Sequence, residues 1–359
     1  MTTPPTARSK GRIRMTNEIV ADLAAGTRSR AVAAGLDGYE FDALVETIAD
    51  PEQWPDVLRA AATRHLETGD RAAEAGLLET AVTAYRTASV WLYFAQAWPT
   101  ASADGYGASA RAQWRAISLR EPQARRLSGD SFRAVLRHPA QAGPTGPVVL
   151  LVSGLDGAKE EQLAVSDALL SRGLSTVAID GPAQGELTTV QPFSPDFSRV
   201  VTEVIETLRS LDGPWSPSSI GIWGSSLGGH YAVTALAREK RLAAGVVVSG
   251  FAKAGWEAMG PYVRSLATVR AGSEEAAARF ADSLDVTAEV SSIEAPVFLV
   301  DGGQDPLVNG PMTGSWISGE VREGTYRFIE QGDHNVANAR WLWLDDAADW
   351  IAGNLRPAQ

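Results

Sequence analysis

The sequence predicts an α/β fold: a mostly parallel β-sheet with helices on both faces, a helical N-terminal cap region and a helical lid insertion. Three observations carry this. From residue 123 onward, short apolar runs alternate with helical stretches, the pattern of a parallel sheet covered on both sides. Residues 16–122 instead repeat apolar residues at three- and four-residue spacing and are rich in Ala, Leu, Glu and Arg. Residues 220–239 join an apolar run directly to a helix through Gly224-Ser225-Ser226-Leu227-Gly228, a G-x-S-x-G turn.

Composition narrows the function. At 359 residues the chain can bury a large core, and 45% hydrophobic with 21% charged residues is ordinary for a globular protein. A net charge of −11 argues against a nucleic-acid partner and against anionic membrane surfaces. No apolar run approaches the roughly 20 residues needed to span a bilayer. There is no cysteine, hence no disulfide, thiolate chemistry or Cys-based zinc site. Arg8, Lys10, Arg12 and Arg14 are not followed by an apolar segment, so residues 1–15 are expected to form a disordered tail and the protein to be cytoplasmic. Met15 is an alternative start.

In chain order, the helical cap region at 16–122 carries Phe41, Leu44, Val45 and Ile48, then Val82, Tyr85, Ala88, Leu92 and Ala95, with Pro51, Pro55 and Pro99 as punctuation. Its aromatic-dense Tyr85–Phe94 stretch fits a helix–helix core or the wall of a pocket. The catalytic domain at 123–359 opens with Val148–Val152, continuously apolar as a buried parallel strand should be. A helix at Glu161–Leu170, a strand at Leu174–Ile179 and a helix at Phe197–Leu211 lead to the Ile220 strand. Ala243–Val248, Val297–Val300 and Tyr326–Ile329 read as strands and Trp341–Leu355 as the closing helix. Between about 252 and 287 there is no strand signal, only helical stretches, so this insertion is expected to cover the strand ends where sites of such sheets lie.

The G-x-S-x-G turn concentrates the chemistry. Thirty-four glycines make a chance match easy, but a strand before it and a helix after it do not come by chance. A residue at such a corner is strained, and glycines two before and two after remove clashing side chains. Ser226 is therefore the candidate nucleophile, with the N–H of Leu227 at a helix N-terminus as one oxyanion donor. A serine needs a base, and a carboxylate to hold that base. Of four histidines only His334 follows Ser226 at a distance, in Gln331-Gly332-Asp333-His334-Asn335 after the last strand. Asp305, just past the Val297 strand, is the candidate acid, and Asp301 its rival. Leu155, in Ser153-Gly154-Leu155-Asp156-Gly157, is the candidate second oxyanion donor. Asp156 and Lys159-Glu160-Glu161 read as braces or helix-start charges. His230, one helical turn after Ser226, reads as a packed residue whose side chain could face the pocket floor. There is no H-E-x-x-H, P-loop or EF-hand pattern, so no metal is expected.

These pieces resemble a known family. They are similar to the α/β-hydrolases grouped around 2,6-dihydroxypseudooxynicotine hydrolase and the fungal polyketide-shortening hydrolases of melanin pathways, within the fermentation-respiration-switch esterase group. The similarity rests on Gly154-Leu155-Asp156 with Lys159-Glu160-Glu161, Asp180-Gly181-Pro182 with Gln184-Gly185-Glu186, and Gly224–Gly229 with Tyr231-Ala232. Gly250-Phe251, Gly303 with Asp305-Pro306, Gly332-Asp333-His334 and the Ala88-Ser89 helix complete the set. Ala183 stands where a glycine is more usual. The resemblance implies the α/β-hydrolase fold, a helical region that caps the site, a homodimer and no cofactor. It also implies hydrolysis of a carbon–carbon bond beside a ketone, or of an ester. The carbon–carbon cleavers of the family use an extra glutamate shortly after the Gly-Phe pair, and Glu257, in Gly255-Trp256-Glu257, matches it.

The expectation is thus a metal-free serine hydrolase acting on a hydrophobic or aromatic small molecule, with Ser226, His334 and Asp305 as triad and Glu257 as an added acid. Leu227 and Leu155 would form the oxyanion hole, and Asp156, His230 and Trp256 would touch substrate. Two alternatives stand beside it: acyl transfer or cyclisation on the same triad, and a non-catalytic binding protein on a hydrolase scaffold.

Overall fold

The structure, a computed structural model, describes residues 7–97, 101–140, 146–211, 219–308, 310 and 312–355. Five helices open it: α1 (Ala7–Ala33), α2 (Gly38–Val45), α3 (Trp54–Glu74), α4 (Leu78–Phe94) and α5 (Ala103–Arg120). Asp37 caps α2, its side chain accepting from the Tyr39 and Glu40 amides, and Ser102 caps α5 in the same way. Phe41, Trp54, Leu58, Trp91 and Phe94 form their buried core. The Trp54 indole N–H satisfies the Phe94 carbonyl, 3.0 Å away, at the end of α4.

Residues 7–15, expected as a disordered tail, form the first turns of α1. The stretch holds no proline, and its Ala, Arg, Lys and Met residues are good helix formers that extend the following helix. Residues 1–6 and Pro99 lie outside the described residues.

The sheet contains β1 (Arg125–Ser128), β2 (Arg133–Arg137), β3 (Val148–Val152), β4 (Ser175–Asp180), β5 (Ile220–Ser225), β6 (Leu242–Val248), β7 (Val297–Gly302) and β8 (Gly324–Ile329). Their spatial order is β1-β2-β4-β3-β5-β6-β7-β8. The first two strands pair antiparallel and the rest parallel. β1 and β2 were not expected. Both carry arginines in place of the continuous apolar run that marks the central strands.

Side chains alternate across a strand, and β3 and β5 show this directly. Leu150, Val152 and Ile222 face a core built with α7 (Ser198–Ser210) and α8 (Leu227–Arg238). Val149, Leu151 and Trp223 face the other, built with α6 (Leu163–Leu170) and α12 (Leu344–Leu355). The lid between β6 and β7 holds α9 (Pro261–Ala271) and α10 (Glu274–Asp282), and α11 (Gly314–Glu320) follows β7.

The chain leaves β3 for β4 on one side, then crosses to β5 on the other, so the ends of β3 and β5 lie together, Val152 beside Gly224. Such a reversal leaves a crevice at the carboxyl ends of the strands. Both the Gly154–Gly157 loop and Ser226 sit there.

Candidate active site

Ser226 stands between β5 and α8 with φ 58° and ψ −120°, a strained conformation for a residue with a side chain. The neighbours hold it there. A side chain at Gly224 would collide with the Gly228 carbonyl, and one at Gly228 with the Val152 carbonyl. The Ser226 N–H donates to Val248 O at 2.8 Å. Leu227 opens α8, so its N–H has no acceptor inside the helix.

Across the crevice Gly154 approaches so closely that a Cβ built on it would lie 3.2 Å from Ser226 Cβ. The Gly154 carbonyl is pinned twice, by the Gly157 N–H at 3.1 Å and by Gln184 Nε2 at 2.9 Å. Gln184 Nε2 also donates to Ser153 O at 2.7 Å. In a planar trans peptide the carbonyl and the next N–H point in opposite directions. Pinning Gly154 O therefore sets where the Leu155 N–H points.

Gln184 was not singled out from sequence, although the Asp180–Glu186 string that contains it was. The turn around it is tight: Ala183 takes φ 62°, which explains why a glycine would be at home there. The turn is tied back through Asp180, which accepts from the Lys159 amide and from its ammonium, both at 2.7 Å. The same buried ammonium reaches Glu186 at 2.7 Å and Glu160 at 2.9 Å. Lys159-Glu160-Glu161 thus braces the loop.

His334 and Asp305 lie in the loops after β8 and β7. His334 Nδ1 is 2.8 Å from Asp305 Oδ2 and 3.0 Å from Oδ1. Burial pushes the Asp305 carboxyl up. The His334 contact and the Val308 and Leu307 amides outweigh it and hold the group below its ordinary value. Asp301, the rival, points elsewhere. Its Oδ2 accepts from Tyr326 Oη at 3.3 Å, and burial pushes it up to about 6. The turn after His334 is held at several points: Asn335 N–H donates to Ser249 Oγ at 3.0 Å, and the Trp343 indole donates to Val336 O at 3.1 Å.

The remaining expected residues are differently employed. Asp156 is not free for substrate, because Arg30 of α1 grips it at 2.9 and 3.2 Å. Arg30 also holds Glu161 at 2.8 and 3.1 Å and donates to Tyr93 Oη at 2.6 Å. Tyr106 Oη donates to Asp156 O at 2.9 Å and accepts from Arg270 Nη2 of α9 at 2.8 Å. Cap, lid and the Gly154–Gly157 loop therefore meet in one polar chain. Arg30, Tyr106 and Arg270 carry no sequence pattern that would reveal it.

His230 is buried, its ring stacked on Phe251 and its Nδ1 3.0 Å from Phe251 O. Burial pushes it down to about 4, so it is neutral near pH 7 and braces the Gly250-Phe251 segment. Trp256 packs inside the lid with Ala267, Ala277 and Ala281, against Leu155. Glu257 contradicts its expected role. Its side chain is 90% exposed and pairs with Arg264 at 3.2 Å. Trp256–Ala258 is a 3-10 turn, in which adjacent residues point about 120° apart, so burying Trp256 turns Glu257 outward.

Comparison with known proteins agrees with this architecture. The family described as serine aminopeptidase, S33 matches residues 143–277, a span with the elbow but without Asp305 or His334. A 2,6-dihydropseudooxynicotine hydrolase of Paenarthrobacter nicotinovorans is 27% identical over 288 residues, covering 76% of this chain and 77% of that one. The crystal structure of the 2,6-dihydroxy-pseudo-oxynicotine hydrolase superposes with a TM-score of 0.79 at 23% identity, covering 91% of this chain and 95% of the other. AbyA5 gives 0.66 at 16% identity, covering 94% and 99%. No helix among the described residues is long and apolar enough to cross a membrane. The parallel sheet and the strained elbow at its centre give the chain the α/β-hydrolase fold, and the family and relative it matches mark it as a hydrolase.

Proposed function

We propose that this hydrolase uses Ser226 as nucleophile, His334 as proton carrier and Asp305 as the carboxylate that orients His334, and that it acts on a carbonyl of a hydrophobic or aromatic small molecule. The observation that carries this is the His334–Asp305 pair, 2.8 Å apart, in loops at the strand ends that also bear the elbow. A carboxylate on Nδ1 fixes the tautomer and leaves Nε2 to take the serine proton. The N–H groups of Leu227 and Leu155 would hold the oxyanion.

The preferred reaction is cleavage of a carbon–carbon bond beside a ketone. Ser226 Oγ bonds to the carbonyl carbon as its proton passes to His334. The tetrahedral oxyanion then collapses, the carbon–carbon bond breaks, and the leaving carbon takes the proton from His334. Water, with His334 as base, releases the acid. With Glu257 in solvent, His334 is the proton source in this scheme, so the leaving carbon must spread its charge over an enolate or an electron-rich ring. The curated relative is named for hydrolysis of 2,6-dihydropseudooxynicotine, which supports a hydrolytic reaction on a small molecule.

The exposure of Glu257 favours a second reading, ester cleavage, which needs no additional acid. A homodimer and a cytoplasmic location belong to the same proposal. The test is labelling by a fluorophosphonate, then product analysis in D2O on an aryl ketone, a diketone and an aryl ester sharing one acyl group. Labelling should vanish in Ser226→Ala, and ketone cleavage should place one deuterium on the released carbon. Labelling that survives in Ser226→Ala sinks the assignment of the nucleophile.

A further inference from the structure

Behind the His334 turn, on the α12 face of the sheet, three polar atoms share one cavity. Trp223 Nε1, Asn335 Oδ1 and Arg340 Nε are each buried without a hydrogen-bond partner among the described residues. Their side chains line a cavity of about 20 Å³, with Arg30 and Glu161 in the same wall. Those two neighbours are already engaged with each other, and Glu161 Oε2 also accepts from Tyr93. Arg340 reaches Ala33 O through Nη1 but has no carboxylate at ion-pair distance among the described residues. Burial holds its guanidinium below the ordinary value.

Native folds rarely leave buried donors and acceptors unpaired, and three in one cavity call for a common partner. The set is two N–H donors and one carbonyl acceptor. Its complement is a molecule that accepts twice and donates once, which one water does. A cavity of that size and polarity has room for one.

The position matters because of the turn it touches. Asn335 and Val336 take φ 61° and 47°, two consecutive left-handed residues of which one is β-branched. Strain of this kind persists only where the surroundings over-determine it. The Asn335 main chain is held by Ser249 and the Val336 carbonyl by Trp343. Among the described residues the Asn335 Oδ1 has no hydrogen-bond partner, and this cavity is where it can be held. On the far side Trp223 belongs to β5, three residues before Ser226.

We propose that a structural water binds Trp223, Asn335 and Arg340 and makes them positioning residues for His334, linking its turn to the strand that carries the nucleophile. The inference rests on the reading of His334 as the base, yet its first test does not.

A high-resolution crystal structure of the full chain grown with bromide should show density within hydrogen-bond distance of all three atoms and no anomalous signal there. A bromide peak would make the occupant an anion, and no density would leave no occupant; either result overturns the proposal. The second test is kinetic. Trp223→Phe removes one donor and keeps an aromatic, though smaller, side chain. Asn335→Gly keeps the backbone free and removes the amide, whereas Asn335→Asp keeps an acceptor. The first two should lower kcat roughly 10- to 100-fold with KM unchanged, the usual worth of small misplacements, and Asn335→Asp should recover most of it. Wild-type kcat in Asn335→Gly, or equal losses in the Gly and Asp variants, would refute the positioning role even if Trp223→Phe failed to fold. Failure of the triad itself is read separately, as absent fluorophosphonate labelling of the wild-type chain.

Discussion

His334 faces Asp305 through both carboxylate oxygens, its Nδ1 2.8 Å from Oδ2 and 3.0 Å from Oδ1. The Leu307 and Val308 amides donate to Oδ1 at 2.8 and 3.0 Å, so the carboxylate is fixed from its own turn before the imidazole meets it. In Asp305→Asn the group at this position can also donate, which favours the wrong histidine tautomer. We expect kcat to fall on the order of 10³- to 10⁴-fold with the fold intact, measured on an activated ester. A loss under tenfold would mean that another carboxylate orients His334.

Gln184 should matter for rate rather than for binding. Gln184→Met keeps the shape but frees the Ser153 and Gly154 carbonyls from their shared donor. The Leu155 N–H then keeps only one of the two holds that aim it, the Gly157 amide, and kcat should fall roughly tenfold on ketones and esters alike, with KM preserved. A rise in KM at constant kcat would place Gln184 in substrate binding instead.

Glu257→Gln should leave both substrate classes within about twofold of wild type. The Glu257 side chain is 90% exposed and paired with Arg264, turned to solvent rather than into the site. A selective loss of ketone cleavage in side-by-side assays would show that the lid moves in solution and brings Glu257 inward.

Arg30→Met should be one of the most destabilising changes outside the core. It leaves Glu161 buried, and Asp156 half-buried, without their cation, a loss of about 3–5 kcal/mol for a broken buried pair. Urea unfolding of Arg30→Met, and of Arg30→Met with Glu161→Gln, provides the check. The double variant should lose less than the sum of the singles, and strict additivity would mean that the pair is not coupled.

Acid should destabilise the fold through His230. Its folded value, about 4, lies below the ordinary 6.5 because burial disfavours the charged ring. The neutral form is thus the folded one. Its stabilisation is complete above pH 6.5 and is lost as pH falls from 6.5 to about 4, a change of about 3 kcal/mol at most. Unfolding free energies at pH 7.5, 6 and 5 should trace that decline, and His230→Gln should flatten it. An identical slope in the variant would assign the effect to other groups.

The parts of the molecule that were legible in sequence are those written locally or reached by elimination. The Gly224–Gly228 corner names its own strained residue, and His334 stands out because no other histidine follows at a distance. β3 and β5 announce themselves by apolar runs, whereas β1 and β2, with arginines in both, do not. Gln184 needed the third dimension, since nothing in its string says that its amide reaches the Gly154 carbonyl. Glu257 failed for a related reason: a motif gives a residue's place in the chain, but which way a turn faces is decided by which neighbour is buried, here Trp256.

Arg30 meets Glu161 across 131 residues, and Arg340 returns to Ala33 across 307. During synthesis, then, the first helix exists long before its partners do. At the usual 5–20 residues per second, roughly 15–60 s separate the emergence of Ala33 from that of Arg340. For that interval the end of α1 lacks Arg340, whereas Arg30 waits only until Tyr93, Asp156 and Glu161 have emerged. The Arg340–Ala33 contact beside the His334 turn is therefore among the last to form, and slower translation of residues 162–340 would delay it.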